Sequence, residues 1–206
     1  MKLNHFIDSN KGITFLVILG MMAWFRQWDN PTAWVYLALH GTYGILWVMK
    51  THLFPDANWV RKISLWFGLV SWAALMLYWI PAFLLMRAGV QAPPWLLALA
   101  ISLNIFGVFF VFTADMQKYT TLKLRPNELI TDGMFGLSRN VNYFGELLIY
   151  AAFALLPMTW LAFLPLALFI VFFWIPNMVR KDKILARLPG FNEYRKKTKA
   201  FFPFLF

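Results

Sequence analysis

Asn142, Glu146 and Tyr150 recur at intervals of four within "SRNVNYFGELLIY", a stretch that otherwise reads as lipid-soluble. That spacing places an amide, a carboxyl and a phenol on one face of a helix. Lipid would leave all three unsatisfied, so the face must turn toward protein or water. A carboxyl at such depth is a functional-site hypothesis by default. The competing reading is a purely structural bond from Glu146 to another helix or to a loop arginine. Gly145 lies beside them and permits close approach by a ligand or another helix.

Two further clusters could do chemistry. In "NIFGVFFVFTADMQK", Asp115 follows Asn104 by three turns of about 3.67 residues, which puts both on nearly one helix face. Lys118 follows one turn later. A carboxylate beside a cation can bind ribose hydroxyls and phosphate together; the plainer alternative is a solvated helix end with an i, i+3 ion pair. In the tail, Arg180, Lys183 and Arg187 fall at i, i+3 and i+7, predicting one basic stripe on a helix ended by Pro189-Gly190. Ile184 and Leu188 form its apolar neighbour, a face that can dock on the bundle. Three cations suit a polyanionic ligand, and equally suit anionic lipid headgroups. His40 and Tyr43 lie one turn apart in an apolar helix. There the histidine reads first as a packing residue, and Tyr43 offers a proton only if it faces a cavity.

These residues must be positioned by membrane-spanning elements. Of 206 residues, 61% are hydrophobic and only 14% charged, against about a quarter charged in soluble domains. The chain is therefore read as an all-α integral membrane protein. With no cysteine it has no disulfide or thiolate chemistry. Its histidines, His5, His40 and His52, are too scattered to predict a metal centre. The first apolar run lacks the small-residue ending of a cleavable signal. Apolar stretches predict six spans: Ile13–Phe25, Thr32–Met49, Ile63–Met86, Pro94–Phe112, Asn142–Leu156 and Trp160–Met178. The fifth is short and reads as half of a C-terminal helical hairpin, with a tail helix beyond it. Pro81 and Pro165 are expected as kinks. With the N-terminus placed in the cytoplasm, seventeen of the nineteen basic residues fall on that side, leaving Arg26 and Arg87 outside. Both termini are thus expected to be cytoplasmic, in a bacterial inner membrane or endoplasmic reticulum. The net charge of +10 is topogenic and implies no nucleic acid.

Three segments, "ADMQKYTTLKLR", "DGMFGLSRNVNYFGELLIYAAFALL" and "KILARLPGFNEYRKKTKAFFPF", occur in an order and separation that carry a resemblance. Over about residues 104–206 the chain resembles the C-terminal domain shared by membrane steroid 5-alpha-reductases and DUF1295 proteins. A wider relation includes sterol C14 reductases and isoprenylcysteine carboxyl methyltransferases. The resemblance implies a cofactor-binding region at 104–206 behind N-terminal substrate-side helices at 1–103, with an NADPH pocket open to the cytoplasm. Asn142 would hold the nicotinamide amide, and Asp115 would meet the ribose–phosphate part. Lys118 and Arg125 would sit by the phosphates, with Arg180, Lys183 and Tyr194 at the adenosine end. Asn104, Arg139, Tyr143 and Arg187 complete the expected cofactor set.

Glu146, with Tyr43 and His40 standing by position for a catalytic pair, forms the expected catalytic set. The implied activity is NADPH-dependent reduction of an activated C=C bond in an apolar lipid, such as a 3-oxo-steroid or isoprenoid enone. The alternative is an S-adenosylmethionine-dependent membrane methyltransferase. The Arg-His-Pro typical of those methyltransferases reads Arg139-Asn140-Val141 here, and their paired glutamates read Lys181-Asp182. A third reading is a non-catalytic role in lipid binding or transport.

Overall fold

A backbone that crosses hydrocarbon must satisfy its own N–H and C=O groups, which leaves helices or closed barrels. The computed structural model, which describes residues 1–57 and 59–203, takes the helical solution. Helix accounts for 75% of the chain, and no strand occurs among the described residues. Among the described residues, four helical runs are long and apolar enough to cross a membrane: Leu3–Trp24, Leu65–Ala88, Pro94–Leu124 and Trp160–Leu185. The protein is an integral membrane protein built from helices.

Helix α1 (Leu3–Trp24) begins well before the predicted Ile13. Asn10, Lys11 and Thr14 are buried at 2%, 4% and 1% exposure, so its polar half packs against protein. The predicted second span falls on α2 (Pro31–Tyr36), a π-turn (Leu37–Gly41) and α3 (Thr42–Leu53). Asn30 caps α2 by accepting from the Thr32 amide, and Pro31 supplies a first-turn φ that suits a helix. The third predicted span is α4 (Leu65–Leu75), a 3₁₀ turn (Met76–Trp79) and α5 (Ile80–Ala88). Pro81 sits in the first turn of α5, where its missing N–H is not needed.

Helix α6 (Pro94–Leu124) has 31 residues and is about 46 Å long, more than the roughly 30 Å of a hydrocarbon core. Its surplus carries Asp115 and Lys118. A short turn, α7 (Met134–Leu137), precedes α8 (Val141–Leu155), whose 15 residues fall short of a perpendicular crossing. The last span joins a 3₁₀ turn (Trp160–Phe163), α9 (Leu164–Phe169, containing Pro165), a π-turn (Ile170–Trp174) and α10 (Ile175–Leu185). The tail helix is α11 (Phe191–Lys197).

The chain divides into two compact units, Met1–Asn104 with Tyr150–Leu166, and Ile105–Ile149 with Ala167–Phe206. In the first, Gly44 brings α3 against the Lys11 carbonyl at a spot where a Cβ would collide. In the second, α6 and α8 touch backbone to backbone. A Cβ on Gly145 would lie 2.7 Å from the Gly107 carbonyl oxygen, and one on Gly107 would lie 2.7 Å from the Gly145 oxygen. Gly107 also meets Ile149, Val111 meets Gly145, and Ala114 packs with Val141. Contact therefore advances along one helix as it retreats along the other, so the pair is antiparallel. The close approach expected at Gly145 is to a helix.

Gly145→Ala should destabilise the protein by about 1–3 kcal/mol, because the opposing atom is backbone and cannot swing aside. Gly20, with nothing within 4 Å of a built Cβ, is the control. Gly20→Ala should hold or raise thermal stability in detergent. Equal transition temperatures for the two variants would remove the helix crossing as a stability determinant.

Candidate functional site

The first unit buries a cation in aromatic surroundings. Lys11 Nζ donates to the Tyr150 hydroxyl at 2.7 Å and lies 4.9, 5.3, 5.3 and 5.1 Å from the ring centres of Tyr43, Trp47, Tyr78 and Tyr150. The negative faces of these rings offset part of the ammonium's desolvation. Tyr78 and Tyr150 stack at 4.1 Å, and Tyr43 meets Tyr150 edge-on at 6.0 Å. Lys50, also buried, lies 4.3 Å from the Trp47 ring. His40 sits in the π-turn, stacked on Phe153 at 4.2 Å, with its Nδ1 3.0 Å from the Tyr36 hydroxyl. Tyr43 is therefore beside the cation, and His40 joins the same aromatic cluster through Phe153, which lies 6.1 Å from Tyr43 and 5.9 Å from Tyr150. Asn104, at 7% exposure, has a buried amide nitrogen with no hydrogen-bond partner.

In the second unit, the antiparallel pair brings the Asp115 end of α6 level with the Asn142 end of α8. The step from Ala114 to Asp115 and that from Val141 to Asn142 leave the same packed cluster, which includes Phe135. Asp115 is buried and Lys118 half-buried. Glu146, half-buried, follows Asn142 by one turn of α8. The Asn142 side-chain oxygen is buried and accepts no hydrogen bond. Tyr143 packs on Trp174 at 5.5 Å, with Trp174 closing the second π-turn. The predicted Asn142, Glu146, Asp115 and Lys118 thus gather on one end of one helix pair.

Other expected ligands are committed elsewhere. Arg139, 6% exposed, donates from Nε to both Asp182 oxygens at 3.2 Å and from Nη2 to Oδ2 at 3.0 Å. Its Nη1 donates to the Thr198 carbonyl at 2.6 Å, and its amide donates to the Lys199 carbonyl at 2.9 Å. Lys181 Nζ donates to the Arg139 carbonyl at 2.6 Å. Ser138 and Asn140 fasten the Phe201 and Ala200 carbonyls. Residues 138–140 therefore strap the tail down, with Arg139 as the buckle. Tyr194 is buried and donates to the Phe135 carbonyl at 2.7 Å. Burial pushes its phenol up to about 12, against the pull of Thr198 and Arg139. Arg125 pairs with Glu128 at 3.4 Å on the exposed loop.

The basic stripe is shorter than predicted. Helix α10 ends at Leu185, so Arg180 and Lys183 share a helix while Arg187 lies in the following turn, its amide bonded to the Ile184 carbonyl. Ile184 is 52% exposed. The loss of register follows from the chain leaving the helix four residues before Pro189. Two open hollows flank this region. One of about 600 Å³ runs between Glu128–Gly136 and Pro189–Thr198; the other, about 290 Å³, is lined by Lys183 and Arg195. Of the quoted tail motif, Phe204 lies outside the described residues.

The family model DUF1295, described as a protein of unknown function, matches residues 1–198. The chain belongs to DUF1295. A search of curated proteins found no match. In this DUF1295 protein the family match extends through the N-terminal half, beyond the motifs from residue 104 onward that carry the resemblance. That half holds the residue the motifs missed, Lys11. Its signal was a lysine between Ile7 and Thr14, on the side of α1 that also carries Ile18.

Arg139→Gln should cost roughly 3 kcal/mol of stability by leaving Asp182 without its partner in a largely buried pair. Tyr194→Phe should change the alkaline limb of the stability profile. The native phenol stays neutral up to about 12 and the unfolded one to about 10, so the parent binds the extra proton when folded. Its stabilisation is complete below pH 10 and drains away as pH rises toward 12. Thermal unfolding between those values should fall more steeply in the parent than in Tyr194→Phe; parallel curves would exclude the buried phenol.

Proposed function

We propose that this protein is a membrane-embedded reductase that uses NADPH to saturate an activated C=C bond in an apolar lipid, such as a 3-oxo-steroid or an isoprenoid enone. The observation that carries this reading is the buried Asn142 oxygen without a donor, level with Asp115 on the paired helix. A buried acceptor left unmade costs about 1–3 kcal/mol, so a ligand N–H is worth most there. The primary carboxamide of nicotinamide presents such an N–H, and a hydrocarbon chain presents none. NADPH, when bound, supplies the hydride.

The chain's own groups then hold the cofactor and prepare the substrate. Asp115 accepts from ribose hydroxyls, while Lys118 and the exposed Arg180 meet phosphate oxygens. Glu146 stands one turn beyond the carboxamide site. Arg139 and Tyr194 leave the cofactor set because they fasten the tail, and Lys183 lines a separate hollow. In the first unit, Lys11 donates to the Tyr150 hydroxyl. A hydroxyl that accepts from a cation becomes a stronger donor through its own hydrogen, which suits an incipient enolate oxygen. Tyr150 thus joins Tyr43 as the acid, and His40 keeps its packing role. Substrate enters laterally from the bilayer, and both termini face the cytoplasm.

The test is a titration of detergent-purified protein with NADPH, NADH and S-adenosylmethionine, read as thermal stability. NADPH at 100 times its dissociation constant should add about 2.7 kcal/mol. Asn142→Ala should weaken NADPH binding by roughly tenfold, the equivalent of about 1.4 kcal/mol. A response to S-adenosylmethionine alone would replace the reductase with the methyltransferase. No response to any of the three would leave the non-catalytic reading.

A further inference from the structure

The smaller hollow, about 290 Å³, lies against the final turns of the membrane-spanning run Trp160–Leu185. Its lining is Val179, Asp182, Lys183, Ala186, Phe191 and Arg195. The acid in that lining is already engaged, because Arg139 holds both Asp182 oxygens. Lys183 and Arg195, both exposed, therefore set the sign of the opening. The floor is apolar: Phe191 is buried, and Val179 is 51% exposed. Ile175, Val179 and Lys183 follow at i, i+4 and i+8 of α10, on one face. Ile175 is 46% exposed, so an apolar track leads from the membrane-spanning part of the helix straight to the cation.

A soluble anion would use the two cations and ignore the track, and a neutral lipid would use the track and ignore the cations. An amphiphile with an anionic phosphate head uses both. The geometry points to a specific site for an anionic membrane phospholipid, with its phosphate between Lys183 and Arg195 and its chain along Val179 and Ile175. Placed at the end of a span, a lipid of this kind would fix the depth at which α10 leaves the bilayer and hold α11 against it. The site shares no residue with the Asn142 set, so it stands whether or not the reductase reading holds.

The experiment is native mass spectrometry of the full-length protein in neutral detergent, titrated with phosphatidylglycerol or phosphatidylcholine. One phosphatidylglycerol should be retained in preference to phosphatidylcholine. Lys183→Gln and Arg195→Gln should each weaken its retention about fivefold, matching roughly 1 kcal/mol per basic residue. Lys196→Gln removes an equal charge from an exposed position outside the lining and should leave retention unchanged. Val179→Gln should weaken retention with both charges intact. Equal loss from Lys196→Gln would mean diffuse attraction to anionic lipid and overturns the site. Displacement of the lipid by NADPH or inorganic phosphate, abolished by Lys183→Gln, would make the hollow a soluble-phosphate site and overturns the lipid. So would retention of neither lipid. Because the readout is lipid retention, loss of the lipid leaves the NADPH titration untouched, and only displacement by NADPH itself would return Lys183 to the cofactor set.

Discussion

Hydrocarbon forms no hydrogen bonds, and most of this molecule's architecture follows from that single deficiency. It selects helices for the backbone and then demands a partner for every polar side chain that the helices carry inward. Lys11 meets the demand with a phenol and four ring faces, Thr14 accepts from the Trp79 indole, and Arg139 spends its donors on Asp182 and the tail carbonyls. Helix irregularities fall where the same pressure meets proline or an aromatic cluster. Pro81 and Pro165 follow 3₁₀ turns, and the π-turns present His40 and Trp174 to their ring partners.

Against this background, the motif around α8 contains both satisfied and unsatisfied polar groups. Arg139, Ser138 and Asn140 bind the last turns of chain to the start of α8, so the "SRN" part of the motif is a fastening. Two residues later, Asn142 keeps a buried acceptor without a donor. Asn140 leaves its own Oδ1 equally without a donor while its amide nitrogen holds the Ala200 carbonyl, so an unmade acceptor occurs inside the fastening as well. Hydrogen bonding also moves Tyr194 from ligand to anchor, since its hydroxyl is already given to Phe135.

The glycine contact explains why the Asp115 and Asn142 ends can share one level. Helices whose side chains intervene pack with axes about 8–10 Å apart, whereas Gly107 and Gly145 let the backbones of α6 and α8 touch. With the crossing pinned there, the antiparallel register places Ala114 against Val141, and the polar residues next to them follow. A family match along residues 1–198 places both units in DUF1295.

Much was legible in the residues alone. Length of apolar runs and scarcity of charge determined a helical membrane protein, because both measure the cost of hydrocarbon burial directly. The four-residue spacing of Asn142 and Glu146, and the positions of Pro81 and Pro165, are local properties that a helix preserves. The tertiary structure decided what each polar group is spent on. Lys11 and Tyr150 are 139 residues apart, and Arg139 and Thr198 are 59 apart. Nothing in either neighbourhood specifies such a meeting. Lys11 counted only among the basic residues of the cytoplasmic side, Gly145 read as room for a ligand or a helix, and Arg187 as part of a helical stripe. Each was resolved by a contact or a helix end set by packing between distant segments, which local periodicity does not encode.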